Sequence, residues 1–173
     1  MRRYLPEYTK KVLSSGRCTV SVWGAISKDG LGPFVRIDGR FNACGYCGII
    51  DDVLLPYVYD RPFKDGCFLL QPDRSPIHKA RCVIQRLDHR QVPQLEWPPN
   101  GADLNPVGNT CSLMKFHLAR SNIANATADA LWVDVKEEWE RLQGCTDVVA
   151  ALYESMPRRI HDVIAADGNY TGD

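Results

Sequence analysis

Cys67-Phe-Leu-Leu-Gln-Pro-Asp73, running on into Arg74-Ser-Pro-Ile-His78, is the stretch on which the fold turns. A short apolar run ending in an acid reads as a buried strand that delivers a carboxylate at its C-terminal end. A helical segment follows, to about Arg90. Then come Leu95-Glu-Trp-Pro-Pro-Asn-Gly-Ala-Asp103-Leu-Asn-Pro106 and a second helix, Val107-Gly-Asn-Thr-Cys-Ser-Leu-Met-Lys115. Strand, crossover helix, strand and helix in that order predict an α/β sheet, whose functional groups gather outside the carboxyl ends of its strands.

The chain has 173 residues, 45% of them hydrophobic and 24% charged, which suits one globular domain with a real core. No apolar run reaches the roughly 18 residues of a membrane-spanning helix, and Met1-Arg-Arg-Tyr is not followed by a signal-peptide core. The sequence therefore predicts a nuclear or cytoplasmic protein, not a secreted one, with no membrane partner. Seven scattered cysteines suit a compartment that keeps thiols reduced. Cys44-Gly-Tyr-Cys47 lacks the second pair that zinc would need and reads as small buried thiols on a helix.

Outward from the central stretch, residues 1–17 read as an extended arm. Cys18–Ser27 is β-branched and aromatic, Lys28-Asp-Gly30 supplies a turn, and Pro33–Asp38 returns as the second strand of a hairpin. Asn42 is a fair helix cap before Tyr46, Ile49, Ile50, Val53, Leu54 and Tyr57 at helical spacing. Val92–Trp97 reads as the next strand. Asn105-Pro106 marks a helix start, a capping residue followed by proline at the first helical position. Ala128–Leu142 is amphipathic, with Leu131, Trp132, Val135, Trp139 and Leu142 on a core face. Val148–Ala166 forms the last helical region, expected to break or kink at Pro157.

Lys and Arg balance Asp and Glu at 21 each, so net charge gives no sign of nucleic-acid binding. Distribution is more informative. Arg74, Lys79, Arg81, Arg86 and Arg90 face a single acid, Asp88, over the same stretch, with His78 and His89 in addition. In isolation this reads as a solvated helix face; beside Asp73 it reads better as a phosphate-facing patch. Arg158-Arg159 fits either a DNA contact or a solvated pair.

Phe68–His78 and Trp97–Pro106 resemble the two main motifs of the mariner-type (Tc-like) DDE transposases. Val22-Trp-Gly-Ala-Ile-Ser27, Gly30-Leu-Gly-Pro33 and Ser155-Met-Pro-Arg-Arg159 resemble the same family, and the similarity runs from about Arg3 to Gly168. The resemblance implies an RNase H-like α/β domain, a mixed sheet flanked by helices, that cuts and joins transposon DNA with two divalent metals, Mg²⁺ or Mn²⁺, held by three carboxylates.

Asp73 stands at the second of those carboxylates. The third should follow after 34 intervening residues, 74 to 107, and that position is Gly108. The first lies on a strand upstream of the matched part, so the sequence predicts a domain without that strand, central in the implied 3-2-1-4-5 order, and a sheet that is incomplete or irregular there. A lone Asp73 is expected to hold a metal weakly at most. Asp103 is expected to order its turn rather than replace a ligand.

The resulting expectation is a transposase-derived domain, 1–173 as one partial catalytic unit, that retains non-specific DNA binding without strand cleavage or joining. Two other readings stay open: a module that pairs with itself or with an intact related transposase, and an active metal-dependent DNA transposase or endonuclease.

Overall fold

A computed structural model describes residues 18–60, 63, 65–73, 75–96, 104–120 and 127–167. Strands β1 (Ser21–Ser27) and β2 (Gly30–Ile37) form the expected antiparallel hairpin, with Val22 opposite Arg36 and Ser27 opposite Gly30. Gly30 has φ +138°, a conformation other residues rarely adopt, so the Lys28-Asp-Gly turn needs glycine where the chain re-enters the ladder.

Asn42 caps α1 (Ala43–Ile49) by accepting from the Gly45 N–H at 2.9 Å. The helical run then passes through a π turn, Ile50–Leu54, into α2 (Leu55–Asp60). Pro56 explains the wider turn: it has no N–H to give and its ring crowds the carbonyl four residues back, which an i→i+5 turn relieves. Next come α3 (Arg81–His89), α4 (Pro106–Leu118), α5 (Ala128–Gln143) and α6 (Thr146–Ala165). Thr127 caps α5 by accepting from Ala130 N at 3.2 Å. Helix α6 starts two residues earlier than its sequence suggests and is not broken at Pro157; packing of Val149 and Tyr153 on the hairpin side holds it together.

Side chains alternate across a strand, and β1 uses both faces. Trp23 and Ala25 pack on one cluster, built from Tyr46, Ile50, Leu54, Val58, Val83 and Leu87. Ile26, with Phe34 of β2, packs on a second, built from Leu31, Met114, Trp139, Leu142 and Val149. The hairpin is therefore the middle of three layers, with α1–α3 on one side and α4–α6 on the other. Trp139 ties α5 to the hairpin: it stacks on Phe34 at 4.4 Å between centroids and donates from Nε1 to the Gly32 carbonyl at 3.1 Å. A Cβ on Gly24 would lie 3.0 Å from the Trp139 ring, so the approach needs glycine there.

The other half of the sheet is reduced. Neither Cys67–Leu70 nor Val92–Trp97 forms a continuous strand among the described residues. They meet in one parallel bridge, Leu70 with Gln94, in which Leu70 N donates to Pro93 O and Leu95 N donates to Leu70 O, both at 2.9 Å. Among the described residues this pair does not hydrogen-bond to the hairpin, whose sheet has two strands. Among the described residues the two pieces are not joined into one sheet. The 1–17 arm and residues 97–103 lie outside the described residues.

Candidate nucleic-acid and metal site

Asp73 follows the Leu70 bridge directly, where a strand end should deliver it. Its Oδ1 accepts from the Ser75 N–H at 2.9 Å, a local turn bond of the kind short acidic side chains make. The same oxygen lies 2.5 Å from His78 Nδ1. The two side chains thus form a close carboxylate–imidazole contact. The His78 contact, with help from Ser75, holds the Asp73 carboxyl down at about 2, against an ordinary 3.8. His78 is only 11% exposed, lies against the Tyr46 ring at 4.1 Å and meets Phe41 edge-on at 6.4 Å. Burial raises the Tyr46 hydroxyl above its usual range.

The cations once grouped by sequence are dispersed by the fold. Lys79 and Arg81 are exposed at the start of α3 and have no ion pair with a described residue. Val83 and Leu87 bury the opposite face of that helix. Arg86 and Arg90 converge instead on Asp51 of the π turn, Arg86 Nη1 at 2.8 Å and Arg90 Nη2 at 3.0 Å. Asp51 is a partner that sequence reasoning missed, because it lies 35 and 39 residues upstream. Arg158 pairs with Asp162 on its own helix at 3.1 Å. Arg159 is buried, donating from Nη1 to Asn109 Oδ1 of α4 at 2.7 Å, so it joins two helices. Arg74 falls outside the described residues.

Gly108 is the third residue of α4, whose first turn Asn105 caps through Val107 N at 3.2 Å. It is exposed, and a Cβ there would meet nothing within 4 Å. Asn105, Val107 and Cys111 of the same helix line a groove with Asp73, so α4 does approach the carboxylate. Position 108 brings no ligand to it. Among the described residues no group of three or more His, Cys, Asp or Glu side chains could hold a metal ion. The described residues do not complete the two-metal centre that the resemblance implies. The Cys44-Gly-Tyr-Cys47 pair is also split, Cys44 exposed and Cys47 buried. No helix among the described residues is long and apolar enough to cross a membrane.

No family model matches the chain. Among characterised proteins, the Tcb1 transposable-element transposase of Caenorhabditis briggsae is 31% identical over 166 residues, covering 96% of this chain and 59% of the relative. The chain thus spans about three fifths of that relative's length. The Mos1 transposase catalytic domain, solved with raltegravir and Mg, superposes with a TM-score of 0.74 at 17% identity, over 87% of this chain and 76% of that one. The Mos1 mariner paired-end complex with Mn gives 0.73 at 16% identity, over 97% of this chain and 51% of that one. The three-layer arrangement, with an acid at the end of a sheet strand, is that of an RNase H-like DDE domain. The motifs and the relatives together place the chain among the mariner-type (Tc-like) transposase domains.

Proposed function

We propose that the chain is a transposase-derived domain that binds duplex DNA through its charge and does not itself cut or join strands. Two observations support this reading: Lys79 and Arg81, close to Asp73 in sequence, remain exposed, while the position on α4 where the resemblance implies a carboxylate is Gly108. Two-metal phosphoryl transfer needs oxygen ligands that hold both ions about 3.5–4 Å apart. Asp73 alone, already engaged with Ser75 and His78, does not supply them. Mg²⁺ or Mn²⁺ would at most visit Asp73 weakly, with water and a DNA phosphate completing its shell. The Mos1 structures solved as paired-end and strand-transfer complexes support DNA as the partner of this surface.

Non-specific binding through few cations predicts a modest salt slope. With two to four phosphates neutralised, log K should fall with log salt at a slope of about −2 to −4. Fluorescence anisotropy of labelled duplexes of unrelated sequence, titrated at several salt concentrations, measures this. Affinity that ignores salt, or that depends strongly on sequence, would sink the electrostatic reading. The inactive half is tested by plasmid nicking with Mn²⁺, using the wild-type chain, Asp73→Asn and Gly108→Glu. None should nick; nicking by wild type that disappears in Asp73→Asn would refute it.

A further inference from the structure

The helical run that begins at α1 packs along α3, and the contacts across that seam fall in register. The Tyr46 ring lies against His78, just ahead of α3, at 4.1 Å. Further on, Asp51 of the π turn receives Arg86 at 2.8 Å and Arg90 at 3.0 Å. Later residues of one element meet later residues of the other, so the two run side by side in the same direction. Cys47 and Cys82 fall between those contacts, each one helical turn ahead of the Asp51–Arg86 pair. Tyr46 and Val83, their chain neighbours, share one buried cluster with Cys47. Packed helix axes lie about 8–10 Å apart and Cα atoms sit about 2.3 Å off each axis, so facing Cα atoms come within the roughly 4.4–6.8 Å that a disulfide spans.

The two thiols differ in access. Cys47 is 8% exposed, whereas Cys82 is open to solvent. Burial holds the Cys47 thiol above its usual range, and the neighbouring Cys82 thiol raises it further. Cys47 therefore stays protonated and hidden, and an oxidant meets Cys82 first. Cys44 is also exposed, but it acts on Cys47 more weakly than Cys82 does. Packing accounts for a buried thiol at 47; it does not account for an exposed one at 82.

We propose that Cys47 and Cys82 are a reversible oxidation site, a thiol pair that a hydroperoxide converts to a disulfide joining α1 to α3. The Cys82 thiolate attacks one peroxide oxygen, the O–O bond breaks and Cys82 becomes a sulfenic acid. The other oxygen takes up the proton that Cys82 shed and leaves as an alcohol, or as water when the oxidant is hydrogen peroxide. The Cys47 sulfur then attacks the Cys82 sulfur, the S–S bond forms, and the hydroxyl leaves as water with the Cys47 proton. Two thiols lose two electrons and two protons, and the hydroperoxide is reduced. The inference stands apart from DNA binding, since neither Lys79 nor Arg81 takes part.

The test treats the reduced 1–173 chain with hydrogen peroxide, blocks the remaining thiols and digests it with trypsin without reduction. Peptide 82–86 should be joined to the peptide that carries Cys44 and Cys47, with two hydrogens lost from the intact mass, and dithiothreitol should separate them. Closing this loop should raise the Tm by about 5–15 °C over the reduced chain. Cys44→Ser should still form the link. Cys82→Ser, a change at an exposed position, should keep a cooperative melt, form no link and show no rise in Tm. In Cys47→Ser, dimedone should label Cys82, because the thiol that resolves the sulfenic acid is gone.

A link that survives in Cys82→Ser, or one that Cys44→Ser abolishes, would overturn the pairing. Cys82 that does not react with peroxide, or that stops at the sulfenic acid in the wild-type chain, would overturn the site itself. A disulfide that lowers the Tm would do the same, because the fold would have to distort to bring the two sulfurs together.

Discussion

The β1–β2 hairpin and the Leu70–Gln94 pair are two pieces of one interrupted sheet, and they are held in unlike ways. The hairpin has its own ladder and is bound to α5 from the side: Trp139 donates to Gly32 O, Gln143 Nε2 reaches Leu31 O at 3.2 Å and Gly32 O at 3.0 Å, and Phe34 stacks on Trp139. Among the described residues the Leu70 segment has one bridge, and it packs by side chains, Phe68 and Leu70 among them, on the cluster around Val83, Leu87 and Val92. A strand can thus keep its position through its neighbours' packing after most of its ladder is gone.

The contrast is tested most severely by Trp139→Ala. Trp139 is 2% exposed, and truncating it removes the Phe34 stack and the bond to Gly32 and leaves a cavity under the hairpin. Aromatic-to-alanine changes in cores cost about 3–5 kcal/mol, a large share of a small domain's stability. Urea unfolding followed by circular dichroism should show a midpoint lowered by that much or the loss of a cooperative transition. A loss below about 1 kcal/mol would mean that the hairpin does not depend on α5, and the comparison would fail.

Asp51→Asn acts on the other half. It releases Arg86 and Arg90 from their shared acid and should leave stability within about 1 kcal/mol, as expected for partly exposed ion pairs. Duplex-DNA affinity should rise about three- to tenfold and the salt slope should steepen by about 1 to 2, as one or two more phosphates are met. Unchanged affinity would show that the end of α3 does not face DNA and would confine binding to its start.

The sequence was most legible where a local rule decides the structure. Asn42 and Asn105 cap as their residue types demand, the Lys28-Asp-Gly turn closes the hairpin, and Trp139 and Leu142 fall on the buried face of α5. The apolar run before Asp73 was legible as a strand from its residues, but its place in the sheet was legible only through the resemblance to transposases, since an apolar run of four residues cannot by itself say what lies beside it. The cationic surface was the least legible part. Its five cations are close in sequence, but Asp51 neutralises two of them from another element, and Arg159 pairs inward with Asn109. Long-range pairing of charges leaves no periodicity to read. At Pro157, where a break or a kink was expected, the helix continues unbroken, since packing along α6 outweighs one lost hydrogen bond.

Acid should weaken the Asp73 corner by a smaller amount. Its folded carboxyl titrates at about 2, below the ordinary 3.8, so its contribution to stability is present above about 4 and is lost as pH falls towards 2. The side chain is 53% exposed, and solvent limits the effect to about 1 kcal/mol or less. Glu138, held down by Arg141 and then His117, also loses stabilising contacts in acid, so wild type alone cannot isolate Asp73. The informative measurement is the difference between wild type and Asp73→Asn in urea midpoints at pH 5 and pH 2.5. The variant should lose less on acidification; equal losses would mean that the His78 contact contributes nothing.

The smallest expected effect has the opposite sign. Gly108 is helical and exposed, and an added Cβ meets nothing within 4 Å, so Gly108→Ala should stabilise α4 by about 0.5–1 kcal/mol by restricting the unfolded chain. The Ser112 hydroxyl bond to the Gly108 carbonyl uses backbone only and survives the change. Gly108→Glu should add about 0.3–1 kcal/mol more, because an acid in the first turn favours the helix dipole. Urea midpoints of the three proteins separate these contributions, and a destabilised alanine variant would show that the first turn of α4 is strained at this position. Stabilisation by both substitutions, without nicking by either, would mean that the glycine at 108 removed a ligand and weakened a helix at once. The chemistry could then not be returned by restoring the acid alone.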